Sequence, residues 1–192
     1  MCIRDSNETL QKEISAFIGQ EAMHTQEHVG FNVSAQKYGH DVTTLEKRTG
    51  VVIQTSRKLF GALVKPFGMT QEMVDLTMTT ALEHFTATLA TQLLTNEHIR
   101  DWMTDETMKY MWLWHAVEEN EHKAVAYDVY EGIFGRGVKA YGLRTFALTV
   151  AMLVLFFTQS SFVLRLLKED GKLNLKELST IYEYGYSPSV SY

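Results

Sequence analysis

Apolar residues recur at three- and four-residue steps along most of the chain, the period of a helix that buries one face. From 7 to 38, Leu10, Ile14, Phe17, Ile18, Met23, Val29 and Phe31 mark a first long helix with Ser6 as N-cap, ending near Gly39. A second pattern follows Asp41 through Leu45, Val51, Val52, Leu59, Leu63 and Val64. It stops before Pro66-Phe67-Gly68, because proline removes a backbone donor and disfavours helical backbone before it. Thr70 caps a third helix through Met73, Leu76, Thr80, Glu83 and Ala87 to Leu94. Asn96 to Asp105 reads as a connection, after which Asp105 caps a fourth helix through Met108, Met111, Trp112, His115, Glu119, His122, Ala126 and Val129. Gly132 and Gly135 are expected to close it. A fifth helix runs from Val138 to about Lys168 and ends at Gly171, and Asn174 opens a short sixth through Leu178 and Ile181.

The fifth helix carries nineteen residues without a charge, Phe146 to Leu164, with Lys139 and Arg144 before them and Arg165 and Lys168 after. Length and flanks suit a membrane span. Thr158-Gln159-Ser160-Ser161 suits a buried bundle helix whose neighbours satisfy those polar groups. The expected location is therefore cytoplasmic or cytoplasmic-membrane-associated, with any membrane contact made through 146–164.

Composition narrows the class. Hydrophobic residues make up 45% and charged residues 21%, enough apolar material for one sizeable core. Only two prolines, Pro66 and Pro188, interrupt the chain, which argues against a many-turned β-architecture. An all-α fold follows. The formal charge of -5 leaves no basic surplus to neutralise a phosphate backbone, so nucleic acid is not an expected partner. The single cysteine, Cys2, excludes a disulfide framework, a cysteine zinc site or an iron–sulfur cluster within one chain. Residues 7–184 are read as one helical metal-binding domain and 185–192 as an irregular end. Residues 1–6, Met-Cys-Ile-Arg-Asp-Ser, resemble translated sequencing-adapter text and are expected to be a non-native leader.

Metal chemistry must then come from histidine and carboxylate. Glu21 and His24 lie three residues apart on one face of the first helix, and Glu119 and His122 repeat the arrangement on the fourth. A Glu and a His one turn apart can converge on one ion while neighbouring helices add carboxylates. One such pair arises readily on a solvated helix, whereas two pairs among apolar neighbours (Phe17, Ile18 and Met23; Trp112, Trp114 and Val117) carry more weight. Glu83, with no lysine or arginine within a turn, is a lone carboxylate on the third helix. His28 and His115 are expected to orient ligands from behind, and Glu118 to accept a proton. His40 and His98 fall at loop edges and are left out.

Three stretches in order carry a family resemblance: Phe17-Ile18-Gly19-Gln20-Glu21-Ala22-Met23-His24 with Glu27-His28 and Phe31-Asn32; Ala81-Leu82-Glu83-His84-Phe85-Thr86-Ala87; and Trp114-His115-Ala116-Val117-Glu118-Glu119-Asn120-Glu121-His122-Lys123 with Asp128-Val129-Tyr130. Over roughly residues 10 to 180 the chain resembles the bacterial family of predicted metal-dependent hydrolases, which is similar to the ferritin-like di-metal carboxylate bundles. The resemblance implies a ferritin-like helical bundle with a metal site carried by Glu21, His24, Glu83, Glu119 and His122. It implies little about substrate. The ferritin-like pattern needs two lone-Glu helices beside two Glu-x-x-His helices, and only Glu83 supplies a lone Glu. The bundle is therefore expected to lack its first helix and to expose an apolar groove beside Glu21 and Glu119.

The leading function is a metal-dependent hydrolase that activates water at a mono- or di-metal centre. The alternatives are an oxygen-activating di-iron oxidase or oxygenase, and a non-enzymatic membrane-associated helical protein with buried hydrogen-bond networks. The expected cofactor is divalent metal, iron foremost, with manganese or zinc also suited. A small-molecule substrate and a homodimer are the expected partners. The metal-site reading requires Glu21, His24, Glu83, Glu119 and His122 to converge within about 12 Å, since bridged metals sit roughly 3.5 to 4 Å apart.

Overall fold

The computed structural model describes residues 8–171 and, among them, shows six α-helices and no strand. They are α1 (Glu8–Lys37), α2 (Val42–Val64), α3 (Gln71–Thr95), α4 (Glu97–Asp101), α5 (Glu106–Phe134) and α6 (Val138–Glu169), with a 3-10 turn, Lys65–Phe67, after α2. The sixth helix expected from Asn174, the Ser6 cap, the leader and the C-terminal end lie outside the described residues.

Helices α2, α3 and α5 each start on a side-chain cap, whereas α6 starts after Gly137 without one. Asp41, Thr70 and Asp105 accept from the backbone N–H of Thr44, Met73 and Met108 at 3.1, 3.4 and 2.9 Å, satisfying donors that a helix start leaves free. Two boundaries differ from the sequence reading. The Asn96 to Asp105 stretch contains the single-turn helix α4, whose Asn96 cap accepts from His98 N–H. Arg100 on that turn donates to the Leu93 and Leu94 carbonyls and so satisfies the end of α3. Helix α5 also passes through Gly132 instead of closing there. Tyr130 donates to the Ala140 carbonyl at 2.7 Å and stacks on Phe134, which holds the last turn helical against glycine's cost of about 1 kcal/mol. Only at Gly135, with φ of 71°, does the chain turn left-handed and stop.

Helices α3 and α5 form the most extensive pair, α6 packs on α3, and α1 packs on α5. Small residues make the close approach feasible: Ala81 on α3 meets Ala147 and Ala151 of α6 in a core completed by Phe60, Val64 and Val74. Thr80 donates across the α3–α5 seam to the Ala126 carbonyl. Helix α1 is different, since its only buried residues are Leu10 and His24. Its attachment to α5 is therefore largely polar.

Helix α6 is long and apolar enough to cross a membrane, yet only 11% of its apolar window is buried. Ala140, Ala147 and Ala151 face the core, whereas Leu153, Phe156, Phe157 and Val163 are exposed. Its apolar run is thus an alanine seam backed by an uncovered outer face.

Ala147 has no exposed surface, so Ala147→Leu must push α6 off α3. The expected loss is about 1–3 kcal/mol, read as a lowered denaturation midpoint, whereas Leu153→Ala on the outer face should leave the midpoint nearly unchanged.

Candidate metal centre

His115, Glu118, Glu119 and His122 fall at steps of three, one and three on α5, so the helix period gathers them into one stripe. Helix α1 lays Gln20, Glu21 and His24 against that stripe, and α3 supplies Glu83. One donor atom from each of Glu21, His24, Glu119 and His122 lies within 4.8 Å of the others. His122 Nδ1 is 2.9 Å from Glu21 Oε1 and 3.8 Å from Glu83 Oε2. His24 Nδ1 is 3.5 Å from Glu21 Oε1 and 3.7 Å from Glu119 Oε1. The structure thus brings all five expected ligand residues together. His24, Glu119 and His122 are buried, Glu83 nearly so, and Glu21 forms the open side.

Both imidazoles turn Nδ1 inward and are held from outside by Nε2. His24 Nε2 is 2.9 Å from Glu118 Oε2, and His122 Nε2 is 3.2 Å from Gln20 Oε1. The Gln20 amide donates its N–H groups to Glu118 and Glu121, so its oxygen is left to accept from His122 Nε2–H. That fixes the neutral His122 tautomer with a lone pair on Nδ1. The buried atoms His24 Nδ1, His122 Nδ1 and Glu83 Oε2 have no hydrogen-bond partner, although carboxylate oxygens lie close by. Inward lone pairs facing carboxylates repel unless a cation sits among them, and imidazole nitrogen with carboxylate oxygen is a donor set for divalent transition metals. The residues present therefore fit a metal ion.

The outer groups sort by contact. Glu118 touches the far nitrogen of His24, so the imidazole ring separates it from the donor cluster, a different position from the one expected of a proton acceptor. His115 Nε2 reaches Glu119 Oε1 at 3.1 Å and its ring lies 3.9 Å from His24. His28 stands one layer further out, against His115 and Trp112. Gln20 was missed by the sequence reading, because glutamine is a poor ligand and only the cross-helix geometry reveals its role. Its position beside Glu21, on the same helix turn as the motif, was the available signal. Phe17 and Trp114 set ring edges against His122 and His24, drying the pocket walls. Helix α1 exposes Ile18 and Met23, and an apolar cleft opens beside Glu119.

The family model for predicted metal-dependent hydrolases matches residues 3–190. The chain belongs to this family. No curated protein and no solved structure matches it. Family membership supports metal dependence and names hydrolysis as the predicted reaction class, without a substrate.

Electrostatics in this family member follow from four carboxylates, Glu21, Glu83, Glu118 and Glu119, around three imidazoles. The His122 imidazole at 2.9 Å, outweighing burial, holds the Glu21 carboxyl below its ordinary range. Burial opposes ionisation of Glu119, but hydrogen bonds from His115 and Thr86 prevail and lower it. Burial likewise disfavours the His122 cation, yet Glu21 beside it raises the imidazole overall. Glu83 goes the other way: burial, then the charges of Glu119 and Glu21, push it up to about 7.

A raised carboxyl binds more protons folded than unfolded, so its contribution to stability is present below pH 4.5 and is lost as pH rises through about 7. In chelator-treated protein, Glu83→Gln should therefore raise the melting temperature at pH 8 relative to the parent and leave it unchanged at pH 4.5. A parallel offset at both pH values would contradict this assignment.

Proposed function

We propose that the chain is a metal-dependent hydrolase whose ion is held by Glu21, His24, Glu119 and His122, with Glu83 at its edge. The observation that carries the reading is the convergence of buried, unpaired His24 Nδ1, His122 Nδ1 and Glu83 Oε2 on the carboxylates of Glu21 and Glu119. A divalent ion bound there would supply Lewis acidity and make water a stronger nucleophile near neutral pH.

The chain's own residues do the rest. Glu118 and Gln20 hold the outer nitrogens of His24 and His122, which keeps both inner lone pairs aimed at one point. Glu83 stands at the edge of the donor cluster with Oε2 unpartnered, so Oε2 can take a proton from water and return it to a leaving group. Apolar rings at His24 and His122 limit access of bulk water. The single cluster of four donors favours one tightly held ion. Two Glu-x-x-His helices and a lone-Glu helix around one centre also support a ferritin-like reading of the bundle.

His24→Ala and Glu119→Ala should each abolish stoichiometric uptake of added manganese or iron and, with it, hydrolysis of a p-nitrophenyl ester panel. Glu83→Gln should keep the metal and lose about 10²- to 10⁴-fold in rate, the usual worth of a positioned proton acceptor. Full metal content in both alanine variants would overturn the ligand assignment, and oxygen-dependent absorption changes in an iron-loaded protein with no esterase activity would overturn the hydrolase assignment.

A further inference from the structure

The cleft beside Glu119 has a volume of about 630 Å³ and lies between α3 and α5. Leu89, Leu93, Met108 and Trp112 form apolar walls, and His115 and Glu119 line the same space. From Thr86 to Leu93 it follows α3 for seven residues, about 10 Å at the helical rise of 1.5 Å per residue. Ligand sites commonly enclose about 300–1,000 Å³, with apolar walls and a few polar groups gathered at one place. This cleft has that form, and its polar inner end is the Glu119 side of the candidate metal centre.

Wall chemistry decides the class of occupant. Thr86, Gln92, Thr104 and Asp105 also line the cleft, but a sugar or a peptide would still bring hydroxyl or amide groups past Leu89, Leu93 and Met108, whose side chains offer no hydrogen bond in place of the water lost. At the outer end Asp105 Oδ1 is engaged by the Met108 N–H. A saturated chain instead gains from leaving water along the whole length.

We infer that this cleft takes the hydrocarbon chain of an amphiphilic substrate, an ester or amide of an alkyl-chain acid, with the scissile group at Glu119. The inference rests on the hydrolase reading above and names its substrate class. Water would add across the acyl carbon to oxygen or nitrogen bond, its hydroxyl going to the acyl carbon and its proton to the leaving alcohol or amine, with no oxidant or reductant needed.

Calorimetry of the full chain with decanamide tests this, since the neutral head group meets no repulsion from Glu119, and acetamide serves as the chainless control. Decanamide should bind saturably at one per chain, with acetamide undetectable. Leu93→Glu should weaken decanamide at least about tenfold, because it buries a charge in the chain's path. Leu89→Glu, at an exposed position that tolerates the change, should act in the same direction if Leu93→Glu fails to fold. Both variants should retain wild-type manganese uptake. Absence of saturable decanamide binding, unchanged binding in Leu89→Glu, or loss only in Phe156→Glu on the α6 outer face would overturn the cleft assignment. Cleft-dependent decanamide binding by a protein that takes up no metal would support the chain site while overturning the metal reading.

Discussion

Four carboxylates and three imidazoles are pressed together between α1, α3 and α5, and among the described residues no lysine or arginine forms an ion pair with any of them. The docking of α1 depends on how that charge is balanced. Apart from Leu10, the only residue α1 buries is His24, so apolar packing contributes little to this contact. Buried charge without a partner costs several kcal/mol per ion, and burial with the charges of Glu119 and Glu21 accordingly pushes the Glu83 carboxyl up to about 7. A divalent ion among the inward nitrogens would offset the same repulsion more completely and at the same point. The arrangement that makes the cluster costly without a cation is the arrangement that suits it to a metal ion.

Much of the frame was legible because short-range rules govern it. Thr70 and Asp105 could be read as caps since each can reach a backbone N–H three residues on, and the structure shows those bonds. Helix α4 escaped because one turn is too short to display a period, and its Asn96 cap looks like any loop asparagine. Gly132 misled because the cost of a helical glycine is visible in sequence, while the Tyr130 contacts that outweigh it come from α6 and the helix end. At the centre, the repeated Glu-x-x-His spacing placed Glu21, His24, Glu119 and His122 on helix faces without stating that the faces meet. Which nitrogen points inward, the bridging role of Gln20 and the outward position of Glu118 depend on inter-helix distances, and no local pattern encodes those.

The surroundings of the cluster are unusually apolar for so acidic a group. On one side the α3–α5 cleft reaches Glu119, and Leu89 lies both on that cleft and on a second apolar surface formed with Met152, Phe156 and Val163 of α6. Hydrophobic side chains therefore extend from the candidate centre toward the uncovered face of α6. The same sequence feature that suits both a membrane span and a buried helix thus becomes an alanine-lined inner seam and an apolar outer surface. Reaction chemistry and apolar substrate contact are assigned to adjoining faces of α3 and α5, with α6 bracing them from behind.

The most direct measurement is anomalous diffraction from crystals of the chain grown with manganese, collected on either side of the metal edge. The account predicts one strong peak within bonding distance, about 2.0 to 2.3 Å, of His24 Nδ1, His122 Nδ1 and the carboxylates of Glu21 and Glu119. Manganese bound only at surface carboxylates, with the two imidazoles still facing each other around no peak, would contradict it.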